Sequence, residues 1–277
     1  MTKQDLAVLL LYYLGFSRIR NSIFLLQRKP IALFLLFHDI PPNESACFET
    51  KMLFLKRIGN IISLDDFFSG KLAAEKINIV ITFDDGFRSC VSCVLPILKK
   101  LKLPATFFLS SGFVNLSKKE ASKFIRTRLF DNRSHPELAG GLTDAEVRKI
   151  VEEGFIVGGH TLNHSNLAQL ADEDVLRYEI MEDKKRLEHF SGTKVDYFAY
   201  PFGAYHNPRI NIVDILQQSG YKGAVTTLSG LNRLGSDRFM LNREQTPASI
   251  HGQLFKARAF GNYAAVCFVK QHLAKLI

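Results

Sequence analysis

Ile77-Asn-Ile-Val-Ile-Thr-Phe-Asp-Asp-Gly86 is a short, β-branched, nearly continuous apolar run that stops at two acids and a glycine. Such a run suits a strand buried on both faces better than a helix. Working outward, similar runs occur at 31–37, 105–110, 155–157, 195–200, 222–226 and 239–242, with helical patterns between them at 89–101, 143–153, 172–190 and 208–219. Thr143-Asp-Ala-Glu146 reads as a capping box that opens one of those helices. Strand and helix alternating at this rhythm imply parallel strands joined by helical crossovers. About seven strands in 277 residues predict an α/β fold, a distorted (β/α)7-type barrel, closed or nearly closed, as a single domain. The barrel is expected at 30–260, after an N-terminal amphipathic helical segment at 1–29 and before a C-terminal helix at 261–277.

The chain carries 36 Lys and Arg against 27 Asp and Glu, a net charge of +9, which favours anionic contacts such as lipid headgroups or phosphorylated glycans. Nucleic acid is not an expected partner, because there is no dense basic block, zinc-finger spacing or aromatic RNA-binding signature. The cysteines, Cys47, Cys90, Cys93 and Cys267, do not have the spacing of a disulfide framework. Cys90-Val-Ser-Cys93 reads as two packed helix positions, since no second pair completes a zinc site. Residues 6–16 form an apolar run well short of the ~20 needed to cross a bilayer. The Ser17-Arg-Ile-Arg20 that follows offers no small-residue cleavage site. Two readings stand for this run: an interfacial helix with Arg18, Arg20, Arg28 and Lys29 among anionic headgroups, or an amphipathic helix packed on the barrel. The expected location is cytoplasmic, with peripheral contact to an anionic membrane under the first reading.

In a parallel barrel, reactive groups collect at the C-terminal ends of the strands. Asp84 and Asp85 stand at such an end, and two adjacent carboxylates repel each other unless a cation or a proton is shared. Successive side chains point in different directions, so one Asp can ligate an ion while its neighbour faces an attacking water. Gly86 lets the backbone turn away. Alone, the motif also fits a helix N-cap followed by a turn. His160-Thr-Leu-Asn-His164 follows the run 155–157 and a glycine pair. Two histidines four apart on a helical turn lie on one face, roughly 5–6 Å between Cβ atoms, and can reach one ion. With Asp85 they make a two-His, one-carboxylate set that leaves positions open for water and substrate. The third motif is Phe198-Ala-Tyr-Pro-Phe-Gly203, in which Pro201 fixes the backbone and the Phe202 N–H can face an oxyanion. An ordinary strand-end turn is its plainer reading.

Together, Thr82-Phe-Asp-Asp-Gly86, His160-Thr-Leu-Asn-His164 and Tyr200-Pro-Phe-Gly203 resemble the polysaccharide deacetylases of carbohydrate esterase family four, over most of residues 31–250. The resemblance implies that Asp84 is the general base and that Asp85, His160 and His164 hold one divalent metal. Zinc is the expected ion, and cobalt, nickel or iron suit the same donors. It also implies oxyanion or substrate roles for Tyr200, Pro201 and Phe202. Two features depart from the usual pattern. Tyr200 stands where that family has an Arg, and the late Leu-x-His that supplies the acid is missing. Phe37-His-Asp-Ile40 resembles the exopolysaccharide-acting branch, in which an early strand ends in His-Asp. That makes His38 the candidate acid, with Asp39 keeping it charged and His251 as fallback; Arg243, in Leu241-Asn-Arg-Glu244, is the candidate partner of the base.

The function expected is a metal-dependent hydrolase that removes an acetyl group, N-linked with O-linked as the alternative, from a sugar of a polysaccharide or glycolipid, with an acetylated glycan as substrate. The alternatives are a non-catalytic glycan-binding or scaffold protein on the same barrel, and an amidohydrolase of small non-sugar amides.

Overall fold

The computed structural model describes residues 2–129, 140–203, 205–250 and 252–273. Two helices, α1 (Lys3–Tyr13) and α2 (Phe16–Leu26), precede β1 (Ile31–Phe37). The chain continues through α3 (Ser45–Ile58), β2 (Gly59–Ile61), α4 (Leu64–Phe68), β3 (Ile77–Phe83), α5 (Leu95–Leu101), β4 (Thr106–Leu109), α6 (Lys118–Phe124) and α7 (Asp144–Glu152). Then come β5 (Ile156–Gly159), α8 (Glu173–Ser191), β6 (Tyr197–Ala199), α9 (Ile212–Gln218), β7 (Gly223–Val225), β8 (Asn232–Arg233), β9 (Glu244–Gln245), α10 (Gly252–Ala259) and α11 (Asn262–Leu273).

The fold is the expected α/β barrel. The sheet runs β7-β6-β5-β4-β3-β1-β8, with parallel pairing from β7 through to β1. Past β7 the chain returns to join the two ends. Leu241 bridges Val225 in parallel, and β9, just beyond it, pairs with β1 at Leu35 and Leu36. Arg243 lies on this closing segment, between the two contacts.

Strand periodicity sorts the core into two layers. Ile31, Leu33, Leu35 and Phe37 of β1 face outward onto α3, α5 and the other crossover helices. Ala32 and Phe34 face inward with Val80, Phe108, Ala199 and Val225, and Leu64 and Phe67 of α4 join this inner cluster. Every β1 residue is buried, which accounts for a strand without polar alternation.

Several local expectations change. The N-terminal segment is two helices, not one, separated at Gly15 (φ 72°). The helix expected from residue 89 opens with a π-helical turn, Cys90–Val94, where both cysteines are buried. The one expected from Pro208 begins only at Ile212, capped by the Asn211 side chain. The capping box at Thr143 forms as expected, with Thr143 Oγ1 accepting from the Glu146 N–H and the Glu146 carboxylate accepting from the Thr143 N–H.

Candidate metal centre and active site

Because the barrel strands are parallel, Asp84, His160 and Tyr200 all leave the sheet at the same end. Asp84 continues the inward-facing series Asn78, Val80 and Thr82, and its N–H still bonds the Phe37 carbonyl at 3.0 Å. At Asp85 (φ 75°) and Gly86 (φ 93°) the backbone enters the left-handed region and turns the second carboxylate toward the histidines. Seven described residues other than glycine have positive φ, and four of them, Asp85, Thr161, His164 and Phe202, lie in the three motifs. Strained backbone is therefore concentrated where the polar groups converge.

Asp84 and Arg243 form a buried, two-pronged ion pair. Nη1 donates to Oδ1 and Nη2 to Oδ2, each at 2.7 Å. The guanidinium is itself fixed, with Nε donating to the Thr226 carbonyl at 2.8 Å and Nη1 to Thr82 Oγ1 at 3.1 Å. Burial opposes ionisation of Asp84, but the Arg243 charge, followed by His160, outweighs it and holds the carboxyl below its ordinary value.

Asp85, His160 and His164 converge. Asp85 Oδ1 lies 3.5 Å from His160 Nε2 and 3.3 Å from His164 Nε2, and one donor atom from each residue falls within 4.8 Å of the others. Tetrahedral ligands held at about 2.0–2.1 Å from an ion stand roughly 3.3 Å apart, so this spacing is that of a coordination shell. The other ring nitrogens are already engaged, His160 Nδ1 with the Ala199 carbonyl at 2.7 Å and His164 Nδ1 with the Arg128 carbonyl at 2.9 Å. Each carbonyl accepts a proton from Nδ1 and leaves Nε2 as the bare donor, the tautomer a metal ligand requires. Burial opposes charge on Asp85 too, yet when both rings are protonated their Nε2–H groups outweigh it and hold the carboxyl well below the usual range; a bound ion takes the place of those two protons. The residues fit a divalent ion, and Asp84 Oδ2 sits beside them, 3.8 Å from His160 Nε2.

The two histidines do not share a helical turn. Thr161 (φ 61°) and His164 (φ 54°) break the helix, and the loop is held from outside by α8. Asp183 accepts from the backbone N–H of His160 at 2.9 Å and of Ser111 at 2.8 Å. One turn earlier, Glu179 accepts from the Asn163 N–H at 2.9 Å and the Asn163 side-chain amide at 2.8 Å. Gly159 is the close approach that lets α8 in, since a Cβ there would run into the Tyr221 hydroxyl and press on Asp183 Oδ2. Sequence reasoning did not single out Asp183 or Glu179. The signal was an acid at 183 on the stripe Leu176, Ile180, Leu187, which is otherwise apolar and buried.

The remaining expected site residues divide. His38 follows β1 at the same end of the barrel, is exposed, and its charge lowers the pKa of both Asp84 and Asp85. The neighbouring Asp39 has its carboxyl raised by burial, and Oδ1 is buried without a hydrogen-bond partner among the described residues. Pro201 is buried; Phe202 is 46% exposed, with its ring 4.6 Å from that of His164. The Tyr200 side chain points away from the cluster. Alternation along β6 puts Ala199 inside and sends Phe198 and Tyr200 into the outer layer, where the Tyr200 hydroxyl donates to the Phe239 carbonyl at 3.0 Å. Its side chain is fully buried and does not reach the cluster. His251 lies outside the described residues.

The polysaccharide deacetylase family model matches residues 71–224. The chain is 28% identical over 148 residues to a chitooligosaccharide deacetylase of Azorhizobium caulinodans, a match covering 53% of this chain and 58% of that protein. It thus spans less than two thirds of the length of the first curated relatives it matches. Among solved structures it is similar to IcaB from Ammonifex degensii, with TM-score 0.67 and 21% identity over 85% of this chain and 98% of that one. It is also similar to the Streptococcus pyogenes deacetylase PplD, solved in complex with acetate, with TM-score 0.63 and 22% identity over 84% of this chain and 99% of the other. At these identities the structural likeness concerns the fold.

Proposed function

We propose that this chain, which belongs to the polysaccharide deacetylase family, is a metal-dependent hydrolase that removes an N-linked acetyl group from a sugar of a polysaccharide or glycolipid. The observation that carries this reading is the convergence of Asp85, His160 and His164 beside a carboxylate, Asp84, that Arg243 keeps ionised and aimed. Bound to those three ligands, a divalent ion, zinc by donor type, supplies Lewis acidity at the acetyl carbonyl and at water.

The chain's own residues do the rest. Asp84 takes the proton from the attacking water, and its fixed orientation means that little reorganisation accompanies the transfer. The Phe202 N–H, at a backbone turn left-handed at that residue, is the candidate donor to the developing oxyanion. His38, protonated, gives its proton to the departing amine.

The test is acetate release from acetylated oligosaccharides, with zinc, cobalt or nickel added, by the wild type, Asp84→Asn and His164→Ala. Asp84→Asn is expected to keep stoichiometric metal and lose turnover by orders of magnitude, whereas His164→Ala loses the metal. Near-normal turnover by Asp84→Asn would overturn the assignment of the base. No acetate from any acetylated glycan, with metal bound, would leave the barrel as a binding protein.

A further inference from the structure

The helices flanking the barrel carry an apolar surface that the proposed chemistry does not use. Leu6, Leu10, Tyr13 and Leu14 recur at helical spacing along one face of α1 and are exposed, Tyr13 to 68%. Phe16, Ile19, Ile23 and Leu26 do the same along α2, Leu26 reaching 84%. Among the described residues, eight of the fourteen exposed large hydrophobic side chains therefore lie within 21 consecutive positions. The opposite side of α1 is engaged, with Val8 buried in a cluster with Ala257 of α10 and Val266 of α11. The stripe is thus the outer face of a layer already docked on the protein.

The charge of this layer decides its partner. Residues 1–30 and 252–277 hold nine Lys and Arg against one acid, Asp5, while the whole chain has 36 against 27. The remaining 31–251 are close to neutral, at 27 against 26, so the two terminal stretches of the sequence carry +8 of the net charge of +9. Lys3, Arg18, Arg28 and Lys29 are exposed among the apolar residues.

We propose that α1 and α2 form an in-plane docking surface for an anionic phospholipid bilayer, with the apolar stripe entering the headgroup boundary and the basic residues meeting lipid phosphates. Each helix has 11 residues, roughly 16 Å at the α-helical rise. That is about half of a hydrocarbon core, so the helices lie along the surface and do not cross it. No described helix is long and apolar enough to cross a membrane. A second copy of this chain is a poorer occupant, because two-fold pairing would set the exposed Lys3, Arg18, Arg28 and Lys29 of one copy against the same cations of the other. Nucleic acid has no use for the apolar stripe.

The test is co-sedimentation of the full chain with phosphatidylcholine vesicles, plain or containing roughly one third phosphatidylglycerol. The wild type is expected to bind the anionic vesicles alone and to release as salt rises from about 0.1 to 1 M. Leu10→Glu with Ile19→Glu abolishes binding. Arg28→Glu with Lys29→Glu weakens it by about tenfold or more, at roughly fivefold per basic residue lost near the surface. Thermal unfolding and circular dichroism report whether each variant is folded, so the outcome is independent of catalysis. The proposal is overturned if the wild type ignores anionic vesicles, or if both folded variants bind as it does. It is also overturned if Leu10→Glu with Ile19→Glu converts a dimer to a monomer while vesicle binding is absent.

Discussion

At the scale of single residues, the site depends on the Arg243 fork. A lysine at 243 keeps the charge, but it cannot give parallel bonds to both Asp84 oxygens while also reaching the Thr226 carbonyl and Thr82 Oγ1. Arg243→Lys is therefore expected to lower kcat on the order of a hundredfold, with metal content unchanged, read from acetate release beside elemental analysis. Turnover near the wild type would mean that Asp84 needs no such support. Arg243→Ala leaves a buried carboxylate uncompensated and should lower stability by about 3–5 kcal/mol, measured by denaturant unfolding. Asp84, Asp85, His160 and His164 were legible in sequence because the acid pair and the four-residue His spacing occur together after apolar runs, although the acid pair alone also fits a helix N-cap. Their conformation was not, since the same spacing fits a helical turn and the left-handed loop that forms. Nor were the Ala199, Arg128 and Thr226 carbonyls that orient His160, His164 and Arg243, because a backbone acceptor leaves no mark in residue identity. The outward direction of the Tyr200 side chain was not legible either, because a motif quoted as a string does not say which way a strand alternates.

At the scale of elements, α8 acts on the metal loop from behind. Glu179 and Asp183 lie one turn apart and hold the loop at Asn163 and at His160, and burial pushes the Asp183 carboxyl up to about 7 despite the two N–H groups it accepts. Glu179→Ala and Asp183→Ala should each weaken metal binding by about 10–100-fold, the usual effect of removing a supporting hydrogen bond, and leave α8 helical. Glu173→Gln, on the exposed first turn of the same helix, should change nothing. Chelator competition measures the affinities; unchanged affinity in both alanine variants would make the two acids merely structural. Longer elements were read well because burial on both faces writes a continuous apolar run, as in β1 and β3. The three-residue β2 and the two-residue β8 and β9 are too short to leave a period, and β9 carries Glu244 and Gln245, residues with no strand signature.

At the scale of the whole molecule, the flanking helices and the barrel meet at Arg258 of α10. Its Nη1 donates to the Gln245 carbonyl of β9 at 2.8 Å, its Nη2 lies 3.3 Å from Asp5 of α1, and its guanidinium stacks 4.2 Å from the Tyr263 ring of α11. Glu244 is buried beneath it, 3.5 Å from Nη1, with both carboxyl oxygens lacking hydrogen-bond partners among the described residues. Burial pushes the Glu244 carboxyl up to about 8, the Arg258 charge only partly opposing it. Between its ordinary value of 4.5 and about 8, the folded protein therefore holds a proton that the unfolded chain has released. The resulting stability is fully present below 4.5, declines as pH rises, and is lost once pH passes about 8. Asp183, raised to about 7, adds a decline of the same sign, so the informative quantity is the difference between wild type and Glu244→Gln. The amide stays neutral at every pH, so the variant should lose less Tm than the wild type between pH 5 and pH 9, by several degrees if the shift contributes a few kcal/mol. Parallel Tm profiles would show that Glu244 is already ionised at neutral pH. The junction would then be an ion pair with Arg258, and the helical layer would be held on the barrel by charge.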